Sequence, residues 1–144
     1  MALKGINPNT SIAYVPKTER ACPPDEQTVF WISPRTTMRA NVSASRYMKA
    51  RREGKRGEIL MDEKRMVEAD IKEFIEMITK VDNYIYSTQY SQYRNDDGTD
   101  KIWQNITDRL MLEAIYRDLP NEIFIELLEA SSDMSVLTEG EKKS

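Results

Sequence analysis

The chain has 144 residues, with 21 Lys and Arg against 24 Asp and Glu, no His and one Cys. The lack of His excludes an imidazole base and any His-containing metal site, and a single Cys excludes an intrachain disulfide. No apolar run approaches the roughly 18 residues of a membrane span, and the first residues lack the apolar segment of a signal peptide. These exclusions predict a cytosolic protein, and no residue pattern in the sequence indicates a catalytic site, a cofactor or a metal.

Charge is distributed unevenly along the sequence. Residues 1–60 carry 11 basic and 5 acidic side chains, whereas residues 61–144 carry 10 basic and 19 acidic ones. The small net charge of −3 therefore hides a basic first part and an acidic second part. Such asymmetry is typical of proteins that bind charged partners, including nucleic acids.

The first segment, residues 1–34, is predicted to be an extended arm with short strands. Four prolines interrupt its first 27 residues, at positions 8, 16, 23 and 24, and proline removes backbone donors and favours extended geometry. Between and after them, residues 11–15 alternate weakly and residues 28–32 are β-branched and aromatic. We expect these two runs to pair as antiparallel strands, supported by helices or by another chain.

The second segment, residues 35–60, is basic. Eight of its first 22 residues are Lys or Arg, and a weak helix over about 36–52 followed by a flexible turn is predicted. Three interpretations of the cluster at 35–56 stay open. It contacts nucleic acid phosphates, pairs with the chain's own acidic half, or binds an acidic partner protein.

The third segment, residues 61–144, is predicted to be an acidic helical module. Apolar residues recur at steps of three and four over 62–86, which indicates one long amphipathic helix with Asp62 as its cap. Further helices are predicted near 107–118, capped by Asp100 or Thr107, and 120–131, opened by Asp118 and Pro120. Ser131-Ser132-Asp133 is expected to end the last one. The predicted fold class is thus mainly α, in one small domain with an N-terminal arm.

Short motifs suggest a family. The N-terminal ones are Lys4-Gly5-Ile6-Asn7-Pro8, Ile12-x-Tyr14-Val15-Pro16-Lys17 and Gln27-Thr28-Val29-Phe30. The later ones are Asn95-Asp96-Asp97-Gly98 with Ile106-Thr107-Asp108, then Leu119-Pro120-x-Glu122-Ile123-x-x-Glu126-Leu127, and a tail from Ser135 to Lys143. Over roughly residues 3–33 and 70–144 the sequence resembles small tailed-bacteriophage morphogenesis proteins of the tail assembly chaperone-like kind.

The resemblance implies a non-enzymatic part in building the virion by contact with other phage tail or virion proteins, or by self-association. A tail assembly chaperone acting in the host bacterial cytoplasm is the first expectation. A structural component of the head, neck or tail, and a nucleic-acid-binding protein using residues 35–56, are the alternatives. The residues predicted to form the interface are Val29, Phe30, Trp31, Arg46, Arg51, Arg52, Phe74, Ile78, Tyr86, Tyr90, Phe124, Leu127 and Leu128.

Overall fold

A computed structural model describes residues 5, 7 and 9–143, and it also describes the side-chain exposure of these residues except at positions 52, 53 and 135–143. The strands are β1 (Ile12–Tyr14), β2 (Val29–Ile32), β3 (Arg51–Glu53), β4 (Ile59–Met61), β5 (Ile78–Asp82), β6 (Tyr84–Ile85) and β7 (Ile102–Trp103). The helices are α1 (Thr37–Lys49), α2 (Glu63–Met77), α3 (Arg109–Asp118) and α4 (Asn121–Lys143).

The fold class is a mixture of helices and antiparallel sheets, so the prediction of a mainly α protein is wrong. Helices take up 48 % of the chain and strands 17 %. The strands form one three-stranded sheet in the order β1-β2-β5 and two smaller pairs, β3-β4 and β6-β7. The expected antiparallel pairing of the two N-terminal runs is confirmed, with Ala13 opposite Trp31. Because β2 is the central strand, the N-terminal segment forms part of the core.

The predicted helix over 62–86 is the main error. Its first part is correct, because α2 starts after Asp62, whose side chain accepts a hydrogen bond from the Arg65 N–H. The chain leaves the helix at Met77 and continues as β5, which pairs with β2. β-Branched residues such as Ile78, Thr79 and Val81 favour strands. In addition, the backbone groups of β2 form hydrogen bonds with this segment, and the apolar spacing of the sequence does not indicate this pairing.

A bulge explains why this strand has a helix-like pattern. Phe30 lies opposite Val81 and Trp31 opposite Lys80, but Ile32 lies opposite Ile78, so Thr79 is the extra residue. In a regular strand, residues three apart point to opposite faces. The bulge reverses the alternation, and both Ile78 and Val81 are fully buried. Two apolar residues three positions apart therefore lie on one face of a strand.

The basic segment contains α1 within the predicted range 36–52, capped by the Thr36 hydroxyl, which accepts from the Arg39 N–H. The expected flexible turn is instead the hairpin β3-β4. At its turn Gly57 has a φ of 79°, a left-handed conformation that costs glycine little. The hairpin places further basic residues beside the C-terminal end of α1.

Two predictions about the last helices are corrected by their capping. The N-cap of α3 is Asp108, whose carboxylate accepts from the Met111 N–H at 3.2 Å, and not Asp100 or Thr107. Asp118 lies in the last turn of α3 and does not open the next helix, which begins at Asn121. Ser131-Ser132-Asp133 does not end that helix, because the Ser131 hydroxyl is buried and engaged in tertiary hydrogen bonds instead of competing for the local backbone.

The core lies between the three-stranded sheet and helices α2, α3 and α4. Each element contributes side chains that are at most 1 % exposed: Phe30 and Ile32 from β2, Phe74 and Met77 from α2, Ile115 from α3 and Leu127 from α4. Helix α1 packs on the outer side of α2 and contributes only Ser43 to the buried residues. This arrangement leaves a surface between α1 and α2 that faces away from the core.

Candidate docking groove between two helices

Six of the residues predicted to contact a partner lie inside the protein. Their side chains are at most 8 % exposed: Phe30, Phe74, Ile78, Tyr86, Phe124 and Leu127. A partner reaches none of them in this conformation. The apolar helix face that a chaperone-like protein would offer to a client is packed within the chain's own core.

Four further predicted residues, Val29, Trp31, Tyr90 and Leu128, are half-buried. The Trp31 indole N–H donates to Asp82 at 3.1 Å. The ammonium group of Lys80 lies 4.6 Å from the centre of a Trp31 ring, within the range of a cation–π interaction. The Tyr90 ring lies 6.0 Å from that of Tyr86, inside an aromatic cluster. These contacts hold the aromatic side chains against their own chain.

The three predicted arginines have different positions. Arg46 lies on α1 and forms an ion pair with Glu76 of α2. Arg51 is exposed at the start of β3. Arg52 pairs with Leu60 through the hairpin backbone, and its side chain lies outside the described part of the structure. Of these three arginines, only Arg46 and Arg51 therefore have side chains that the structure describes at the surface.

A cavity of about 520 Å³ lies between α1 and α2, and we call it the groove. Its lining consists of Val42, Ser45, Arg46 and Lys49 from α1 and Arg65, Glu68, Ala69 and Lys72 from α2. On each helix these positions fall within about 100° of arc, at 3.6 residues per turn. Four cations and one carboxylate line the groove, and two of these cations are paired within the chain, Arg46 with Glu76 and Arg65 with Asp62. Val42 and Ala69 add an apolar part. The lining of the groove is therefore mostly basic and partly apolar.

Polar contacts between α1 and α2 hold the groove open at a fixed width. At one end, the Asp62 N–H donates to the Ala50 carbonyl at 2.7 Å, and the Arg65 guanidinium donates to the Lys49 carbonyl at 3.0 Å. In the middle, the Tyr47 hydroxyl donates to the Asp70 carboxylate. Burial, and then this hydrogen bond, raise the pKa of Tyr47 above its ordinary value. The hydroxyl stays protonated and keeps donating at neutral pH.

A buried charged network lies behind the groove. Glu73 is 1 % exposed, and its Oε1 lies 3.8 Å from Nε of Arg35 and 3.9 Å from Nη2 of Arg39. Arg39 donates to the Ser33 hydroxyl at 2.9 Å and to the Ser131 hydroxyl at 2.7 Å. Burial lowers the pKa of Arg39, and the charge of Glu73 counteracts part of this shift. The network joins α1, α2, α4 and the segment that follows β2, and so fixes α1 on the rest of the protein.

Three of the basic residues lining the groove were absent from the predicted interface. Lys49 belongs to the basic segment, but Arg65 and Lys72 lie in the part of the sequence whose net charge is negative. A count of charge along the chain therefore does not single them out. Helical spacing would have placed Arg65 and Lys72, seven residues apart, on one face of α2. What the sequence does not show is that this face lies beside α1.

Within the described residues, no group of His, Cys, Asp or Glu side chains is arranged to hold a metal ion. In the same part of the chain, no helix combines the length and the apolar character needed to cross a membrane. Comparison of the chain with protein-family models, curated proteins and solved structures finds no match. The function is therefore argued from the groove and from the sequence resemblance.

Proposed function

We propose that this protein is a non-enzymatic morphogenesis protein of a tailed bacteriophage that acts by protein–protein contact, with the groove as its docking surface for an acidic partner. The observation that carries this proposal is the lining of the groove, which combines four cations and one carboxylate with the apolar side chains of Val42 and Ala69. The bacteriophage setting comes from the sequence resemblance. The host bacterial cytoplasm is the corresponding place of action.

An acidic protein segment suits this surface better than nucleic acid. Val42 is 42 % exposed and Met38, one helical turn earlier on the same face of α1, is 77 % exposed. Protein interfaces combine an apolar centre with a polar rim, whereas phosphate contacts need cations alone. A phosphate backbone would leave these exposed apolar side chains of α1 without a partner.

The docking surface is tested with two anionic probes, labelled poly-L-glutamate and a labelled DNA duplex, in fluorescence anisotropy titrations. The wild type is compared with Lys49→Glu/Lys72→Glu and with the control Lys64→Glu/Arg117→Glu, which makes the same charge change outside the groove. Reversing two cations removes roughly 1–2 kcal/mol of attraction, so polyglutamate binding should weaken by about five- to thirtyfold. The control should retain most of the wild-type affinity.

Two results would overturn the docking proposal. Equal polyglutamate binding by the groove variant and the wild type would show that the groove is not the docking surface. Binding of the duplex in preference to polyglutamate, lost in the groove variant, would establish the nucleic-acid alternative. A linear fall of the logarithm of the DNA affinity with the logarithm of the salt concentration, as phosphate contacts produce, would support the nucleic-acid alternative.

The part in virion assembly is tested separately by deleting the gene and examining the particles by electron microscopy. We expect incomplete particles, and complete infectious particles at normal yield would contradict the proposal. Mass spectrometry of purified wild-type particles then separates the two forms of the proposal. A stoichiometric amount identifies a structural component of the head, neck or tail, and absence identifies an assembly factor such as a chaperone.

A further inference from the structure

Helix α4 carries exposed carboxylates along one line, which we call the acidic stripe. It consists of Glu122, Glu129 and Asp133, all exposed. At 3.6 residues per turn these positions fall within about 40° of arc and extend for about 16 Å. Ile125, which is 45 % exposed, lies beside the stripe. The surface therefore combines negative charge with an apolar side chain.

The stripe is held in a fixed orientation by Glu126. This residue lies between the members of the stripe, and its carboxylate accepts from the Tyr14 hydroxyl at 2.6 Å and from the Lys17 N–H at 3.0 Å. Burial, and then this hydrogen bond, raise the pKa of Tyr14 to about 12. The N-terminal arm is thereby fixed to α4 beside Glu129 and Asp133, which line a cavity with Ile12 and Lys17 of the arm. The three carboxylates of the stripe remain exposed.

The stripe and the groove are complementary in sign and in apolar content. The groove offers Lys49, Arg65 and Lys72 around Val42, and the stripe offers three carboxylates beside Ile125. The whole lining of the groove extends over about 10 Å of each helix, and the stripe extends over about 16 Å of α4. Among the described side chains, no ion pair joins the two surfaces within one chain. Arg65 is paired with Asp62 at 4.0 Å. Lys49, Lys72 and the three carboxylates of the stripe form no ion pair in the described part of the chain, so their charges are available to a second molecule.

We propose that the acidic partner of the groove is a second copy of this chain, whose α4 docks by its acidic stripe. This inference rests on the proposed function, because it assigns the occupant of the same docking surface. The two contacting surfaces differ, so the contact is head-to-tail and not two-fold symmetric. Repeating it produces a ring or an open filament, as heterologous contacts do.

Sedimentation velocity at low ionic strength tests this arrangement with neutralising variants. Lys49→Gln/Lys72→Gln removes charge from the groove, and Glu129→Gln/Asp133→Asn removes it from the stripe. We expect the wild type to form species larger than dimers, and each variant alone to remain a monomer of 16.8 kDa. An equimolar mixture should form heterodimers and nothing larger, because each molecule retains one intact surface. The control Lys64→Gln/Arg117→Gln should associate as the wild type does.

Three outcomes would overturn the inference. The first is a wild type that remains monomeric at every concentration tested. The second is a mixture that does not form heterodimers although the wild type associates. The third is association that persists in about 0.5 M salt, where the Debye length falls to about 4 Å. A monomeric wild type that still binds polyglutamate through the groove would leave the proposed function intact and assign the groove to a different acidic protein.

Discussion

At the residue scale, the structure depends on Glu73, a charged side chain in the protein interior. Glu73 is on the apolar side of α2, yet its carboxylate is buried beside two guanidinium groups. Removing one member of a buried pair leaves the other charge uncompensated, which costs more than the pair itself contributes. Arg39 also holds the hydroxyls of Ser33 and Ser131, so its loss affects four elements of the fold.

Arg39→Ala should therefore lower the free energy of unfolding by about 3 kcal/mol, within the range for broken buried pairs. Urea denaturation, monitored by circular dichroism, measures this loss of stability. Arg109→Ala provides the control, because the side chain of Arg109 is 68 % exposed and its ion pair with Glu113 lies at the surface. Its effect should stay below about 1 kcal/mol, and similar losses for the two variants would contradict a structural role for the network.

Tyrosine ionisation provides a second prediction at this scale. Burial, and then the charge of Asp70, raise the pKa of Tyr116 to about 12, and Tyr14 is raised to about 12. The unfolded chain releases these protons near pH 10. The contribution of these two tyrosines to stability should therefore be constant below about pH 10 and fall as the pH rises toward 12. Urea denaturation between pH 8 and 12 measures this fall in the free energy of unfolding. The Tyr14→Phe variant should lose less of this free energy at alkaline pH than the wild type does.

At the element scale, apolar periodicity identified the segments but not always their type. Ile78 and Val81 match a helix pattern and lie in a bulged strand. The helix pattern also places Ile85 on the same apolar face as Ile78, one heptad away. In the structure Ile78 is fully buried and Ile85 is 43 % exposed. The pairing with β2, some 50 residues earlier in the sequence, determines which of the two faces the core.

A matched pair of substitutions distinguishes the two arrangements. Ile78→Ala should cost about 2–5 kcal/mol of stability, as expected for a buried large-to-small change. Ile85→Ala should cost less than about 1 kcal/mol, because its side chain keeps much of its exposure to water. Thermal or urea denaturation gives both values. Equal large losses would favour the continuous helix over 62–86.

The cap of α3 is tested in the same way. Asp108→Ala should reduce stability by about 1 kcal/mol, the usual cost of losing a side-chain cap. The neighbouring Thr107→Ala, which alters the residue predicted from the sequence as one of two possible caps, should have little effect. A larger loss for Thr107→Ala than for Asp108→Ala would contradict the cap assignment.

At the scale of the whole molecule, the opposite charges of the two parts of the sequence are partly paired within the fold. Arg35, Arg39 and Arg46 of the basic segment contact Glu73 and Glu76 of the acidic module. This was one of the three interpretations of the basic cluster. The charge that remains is arranged on two separate surfaces, the groove and the acidic stripe, and these are the basis of the proposed association.

A charge-swapped chain provides the corresponding prediction. Lys49→Glu/Lys72→Glu combined with Glu129→Lys/Asp133→Lys keeps the net charge at −3 while exchanging the signs of the two surfaces. The fourfold variant should associate to the same extent as the wild type, whereas either double change alone should abolish association. Light scattering after size exclusion measures this. Restoration is expected only if the groove and the stripe contact each other, since net charge is identical.

The sequence by itself determined the polar and apolar segments, the β1-β2 pair, most of α1, the start of α2 and the charge asymmetry. These depend on local signals, such as β-branched runs, Asp and Thr caps and helical spacing, which act over a few residues. The tertiary structure decided that residues 78–85 form strands, that Ser131 lies inside a helix and that Arg65 and Lys72 face α1. Each of these depends on partners far away in the sequence, whose backbone hydrogen bonds and buried contacts outweigh local preference.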